Sequence, residues 1–123
     1  MKQGLVLFAH GARDARWAEP FERLRARVEK RAPAVAVRLA YLELMQPDLP
    51  TAVADLVRAG AADVRIVPIF FGQGGHVRED LPDAVARLKR RHPQVAIHCA
   101  APAGEDAAVI EALAGYCIKG LDS

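Results

Sequence analysis

Short apolar runs alternate with amphipathic stretches along the whole chain. Residues 4–9 are apolar and stop at His10-Gly11, which reads as a first strand meeting a turn. After a loop at Arg13 and Asp14, Trp17, Phe21, Leu24 and Val28 recur at helical spacing, and Ala32-Pro33 closes that helix. Pro20 is compatible with it only in the first turn, where its missing N–H has no partner to lose. Residues 35–42 alternate as a second strand and deliver Glu43 at its end. Asp48 and Pro50 are start signals for a second helix with the face Leu49, Val53, Leu56 and Val57, and Gly60 is its stop.

Residues 63–71 read as a third strand. Its end, 67–71, is too apolar for an exposed strand and too short for a helix. Pro68 stands against that reading, because proline removes a ladder hydrogen bond. Beyond it, Gly72, Gly74 and Gly75 are expected to let the chain turn sharply and bring backbone N–H groups toward a ligand. A third helix follows His76 with Leu81, Val85 and Leu88, and ends before Pro93. Residues 95–99 form a fourth strand. The stretch 107–118 makes a last helix with Val109, Ile110, Leu113 and Cys117 expected inward.

Strands alternating with helices predict an α/β protein: a three-layer sandwich with a four-stranded parallel sheet and right-handed crossovers, helices on both faces, forming one domain over residues 1–123. A flavodoxin-like order, 2-1-3-4, sets strand 1 between strands 2 and 3. With strands ~4.8 Å apart, His10, Glu43 and His76 then project from one rim, where open α/β sheets bind their ligands.

Bulk properties exclude several classes. At 52% hydrophobic and 26% charged the composition is that of a globular protein, and a net charge of +2 does not argue for nucleic acid. No apolar run approaches the ~20 residues of a membrane helix, and the N-terminus lacks the pattern of a signal peptide. Cys99 and Cys117 form no Cys-x-x-Cys motif; in apolar segments they read as reduced, buried thiols of a cytoplasmic protein. Arg87, Lys89, Arg90 and Arg91 read as a solvated helix end that suits the helix dipole. His92 and His98 read as structural.

Two histidines and a carboxylate on one rim leave three readings. They suit a divalent first-row metal, they can move protons near neutral pH, or each can end its strand with a hydrogen bond. A metal-delivery protein and a phosphate or nucleotide binder using the glycines at 72, 74 and 75 stay open on these grounds. No P-loop and no His-Glu-x-x-His helix is present.

Leu7-Phe8-Ala9-His10-Gly11-Ala12-Arg13-Asp14, Tyr41-Leu42-Glu43 through Pro50, and Val67-Pro68-Ile69-Phe70 through Gly75-His76-Val77-Arg78-Glu79-Asp80-Leu81-Pro82 together resemble the sirohydrochlorin chelatase family, in its order and spacing. The resemblance implies a chelatase-like fold and insertion of Co²⁺ or Fe²⁺ into sirohydrochlorin without ATP, toward cobalamin or sirohaem. A nickel-inserting branch belongs to the same family. It implies no tightly bound cofactor, the metal being a substrate, and a short single-unit form working as a homodimer, without nucleic acid or membrane. Carried over by position, the metal ligands fall on His10 and His76, and the acidic residue on Glu43. The family usually has serine where this chain has Ala12, so a hydroxyl role there is absent. Around the rim, Arg13, Arg16 and Arg78 are candidates for the substrate's carboxylates, with Gly72, Gly74 and Gly75 supplying N–H groups.

Overall fold

The computed structural model describes residues 2–72 and 74–121, and for Gly75 and His76 the backbone alone. Four parallel strands, β1 (Gln3–Ala9), β2 (Ala36–Tyr41), β3 (Asp63–Pro68) and β4 (Ala96–Cys99), lie in the order β2-β1-β3-β4, the flavodoxin-like order expected. The helices are α1 (Glu19–Arg31), α2 (Leu49–Arg58), α3 (Gly75–Arg91) and α4 (Ala107–Ile118). None of the described helices is long and apolar enough to cross a membrane.

Alternation along β1 sorts the core into two layers. Val6 and Phe8 point to the side covered by α2 and α3, where they meet Val53, Leu56, Leu81, Val85 and Leu88. Leu7 and Ala9 point to the side covered by α1, joining Leu39 and Tyr41 over half-buried Phe21 and Leu24. β1 is thus apolar on both faces, as a central parallel strand must be.

Local chemistry explains the boundaries. Pro20 does lie in the first turn of α1, and a 3₁₀ turn (Ala15–Ala18) carrying Trp17 precedes the helix. Asp48 caps α2 by accepting the Thr51 N–H at 2.9 Å. That bond holds the Asp48 carboxyl below the usual carboxylate range. Its stabilisation is therefore complete above the unfolded value near ~3.9 and is lost as pH falls through the lowered folded one. Asp48→Ala is expected to cost about 1 kcal/mol in urea denaturation at neutral pH, with the gap to wild type closing in acid.

Three expectations are corrected. β3 ends at Pro68 instead of running to Phe71. Pro68 is fully buried and stands just past the last pair of β3 with β4, Ile66 opposite Cys99. Its missing N–H therefore falls where the ladder on that side stops. Cys99 and Cys117 are exposed free thiols, although partial burial still pushes the Cys99 thiol up. Finally, Val109 and Leu113 of α4 are only half-buried, Ile110 and Cys117 are exposed, and no α4 residue joins either core layer. The apolar composition that suggested burial is real, but none of the described residues buries this helix.

Candidate metal-insertion site at the sheet rim

The carboxyl ends of β1, β2 and β3 form the rim. The Leu42 N–H donates to the Ala9 carbonyl at 2.9 Å, and the Glu43 N–H to the His10 carbonyl at 3.0 Å. The β1–β2 pairing thus continues past both strands and sets His10 and Glu43 side by side, both exposed. Gly11, at φ +96°, makes this approach possible: a Cβ there would fall on the Glu43 carbonyl oxygen. On the other side, the Ile69 N–H donates to the Phe8 carbonyl at 2.7 Å. It leads the chain into Phe70, whose buried ring lies 4.3 Å from the His10 ring at 30°. His10 is therefore held against the Phe70 ring while remaining exposed.

α3 begins at Gly75, so the backbone of His76 stands in its first turn, after the loop leaving β3. The His76 side chain, expected to complete a metal pair with His10, lies outside what the structure describes. Among the described residues no three metal-ligating side chains converge.

Beside Glu43, between α2 and α3, opens a cleft of about 480 Å³ lined by Leu42, Glu43, Asp48, Val77, Asp80 and Asp83, among others. Leu42, Leu44 and Phe71 expose apolar surface on the same rim, Phe71 to 71%. Leu44 holds φ at 66°, an uncommon conformation for a γ-branched residue.

The flanking cations divide. Arg13 and Arg78 are exposed at the rim, whereas Arg16 is committed to Asp14, with its Nη2 at 2.8 Å and Nε at 3.2 Å from the two carboxylate oxygens. This exposed fork holds the Asp14 carboxyl below its ordinary range. Gly72 and Gly74 have open space where a Cβ would stand, and neither has a positive φ. The chain does bend at Phe71 and Gly72, while the rim glycine that needs a left-handed conformation is Gly11. His98 sits away from the rim, 3.7 Å from Asp63, and His92 caps the end of α3. Phe70 and Phe71 escaped a reading that placed both in the strand; their adjacency just before Gly72 was the available signal.

The CbiX family model matches residues 4–116. The chain belongs to the CbiX family. A CbiX protein from Marinobacter aquaeolei VT8 is 34% identical to it, with a TM-score of 0.82 and 97% of each chain covered. The sirohydrochlorin cobaltochelatase of Sulfolobus acidocaldarius is 28% identical, over 96% of this chain and 92% of its own length. The sirohydrochlorin ferrochelatase of Bacillus subtilis is 26% identical over 92% of this chain, which spans only 43% of that protein. A CbiX-family chain of this kind thus matches iron- and cobalt-named chelatases alike, and the four-stranded parallel fold agrees with its structural neighbour.

Proposed function

We propose that this CbiX-family chain inserts a divalent metal ion, Co²⁺ or Fe²⁺, into sirohydrochlorin. The observation that carries this reading is His10, held over Phe70 on an open rim and joined through its backbone to Glu43. Metal insertion exchanges one M²⁺ for two pyrrole protons. A neutral imidazole binds such an ion without the thiolate grip of a closed structural site. His10 supplies one ligand and His76, from the first turn of α3, a second, leaving positions open for the macrocycle nitrogens. Glu43 accepts a departing proton, and the acid-lined cleft beside it offers a path to solvent.

The exposed apolar side chains Leu42, Leu44 and Phe71 suit the face of a tetrapyrrole, while Arg13 and Arg78 suit its peripheral carboxylates. Arg16 is the weaker candidate because Asp14 already occupies its fork. The N–H groups around Gly72, Gly74 and Gly75 can add to anion binding. Arg13→Ala is expected to raise KM several-fold with little change in kcat; equal losses in kcat and kcat/KM would place Arg13 in the transition state instead.

The macrocycle is broad for a rim open on one side, and a second copy of the chain facing that rim would enclose it. We place this homodimer in the cytoplasm, where exposed thiols such as Cys99 and Cys117 stay reduced. The test is the absorbance change of sirohydrochlorin with Co²⁺, Fe²⁺ or Ni²⁺. Acceleration over the uncatalysed rate is expected with at least one metal. Metal binding without acceleration would instead support a metal-delivery role.

A further inference from the structure

Among the described glycines, Gly11 and Gly104 are the two at which a Cβ would fall on the backbone of another segment. They act on either side of His10. Gly11 follows it and lies against the Glu43 carbonyl, whereas Gly104 lies against the backbone of Phe71. Gly104 belongs to the 3₁₀ turn Ala103–Glu105, in the connection from β4 to α4. Its φ is not positive, so any residue could adopt its backbone conformation. What position 104 requires is space.

The segment that Gly104 touches has already left the sheet. β3 ends at Pro68, and the Phe71 side chain is largely exposed and adds little anchorage. Two backbone bonds fix Phe70 instead. The Ile69 N–H donates to the Phe8 carbonyl at 2.7 Å, and the Gly104 N–H donates to the Phe70 carbonyl at 2.8 Å. The connection that supplies the second bond is itself secured. The Ala100 N–H donates to the Ile66 carbonyl at 2.8 Å, Pro102 is buried, and the Glu105 N–H closes the turn on the Pro102 carbonyl at 2.9 Å.

Pressed from that side, the Phe70 ring packs on β1 and its end. It lies 5.6 Å from the Phe8 ring at 52° and 4.3 Å from the His10 ring at 30°. Phe8 is fixed by its own burial; His10 is exposed. A metal-binding histidine is ordinarily oriented by a hydrogen bond from its second ring nitrogen. Among the described residues no such bond reaches the His10 imidazole, and the packed Phe70 ring stands in its place.

We propose that Gly104 and Phe70 are positioning residues for metal insertion: the β4–α4 connection sets the Phe70 ring, and the ring sets the His10 imidazole. The inference rests on the metal-insertion reading above and deepens it. A displacement of about 1 Å at a reacting group costs up to about 100-fold in rate. A methyl group at position 104 has to push the Phe71 backbone away, and Phe70 moves with it.

The test uses the full chain and reads His10 directly. Imidazole protons packed on a phenyl ring are shifted by its ring current, and the His10 signals in a proton–carbon NMR spectrum are identified by their loss in His10→Ala. Phe70→Leu keeps the position apolar and should move these signals toward those of a free imidazole. Gly104→Ala should move them in the same direction while the His92 and His98 signals stay in place. Both variants should lower kcat/KM for insertion about 10-fold, largely through kcat. With Phe70 already replaced by leucine, Gly104→Ala should add less than about 2-fold. If Gly104→Ala does not fold, Pro102→Ala loosens the same connection and has to meet the same readings. Unmoved His10 signals, or a destabilised Gly104→Ala that inserts metal at the wild-type rate, overturn the proposal. Fully additive losses overturn the path through Phe70. A wild type without insertion activity overturns the function proposed above, and is told apart because the His10 signals still respond to both variants.

Discussion

Replacing His10 by alanine is expected to lower kcat/KM for metal insertion about 10²–10³-fold, some 3–4 kcal/mol of transition-state stabilisation. His10 is exposed and forms no part of either core layer, so the fold should survive its loss. What does disappear with it is the ring contact to Phe70, 4.3 Å between centroids, worth roughly 0.5–1.5 kcal/mol. His10→Phe separates the two effects, because it can keep an aromatic ring over Phe70 while removing the ligand nitrogen. Both variants are expected to lose insertion, and His10→Phe to retain more of the thermal stability. Steady-state rates and melting curves on the same preparations check this; wild-type rates in His10→Phe would show that the ring, not the ligand, matters.

The second large effect is expected at Gly11. Its φ of +96° lies in the left-handed region, and a Cβ would meet the backbone carbonyl of Glu43, not a yielding side chain. Gly11→Ala therefore has to part the two segments or strain the turn, at a cost of about 2–3 kcal/mol. Because the same contact carries the Glu43-to-His10 backbone bond, insertion should fall along with stability. Urea denaturation and kcat measured together test this. A loss below about 0.5 kcal/mol, the range of an ordinary surface substitution, would mean that the turn accommodates a methyl group freely.

Much of the fold was legible because the signals were strong and local. The apolar runs at β1 and β3, the Asp48 cap and the Leu81, Val85 and Leu88 spacing each have one reading, and the parallel pairing followed from alternation. The place of His10 and Glu43 on one rim was legible for the same reason. What failed depends on what lies across space. Composition says that a helix such as α4 is apolar but not what it packs against, so the expected inward face and the burial of Cys117 did not hold. The pairing of Arg16 with Asp14, two exposed side chains, is a matter of rotamers that the sequence does not show. The stacking of Phe70 on His10 joins residues far apart in sequence, and hydrophobicity alone does not indicate it.

The most direct test of the account is the anomalous scattering of cobalt in a crystal of the chain grown with Co²⁺. A peak is expected at the rim, about 2.0–2.1 Å from an imidazole nitrogen of His10, with His76 completing the pair from the first turn of α3. Cobalt bound only at His92, His98 or the exposed cysteines, with His10 bare, would contradict it.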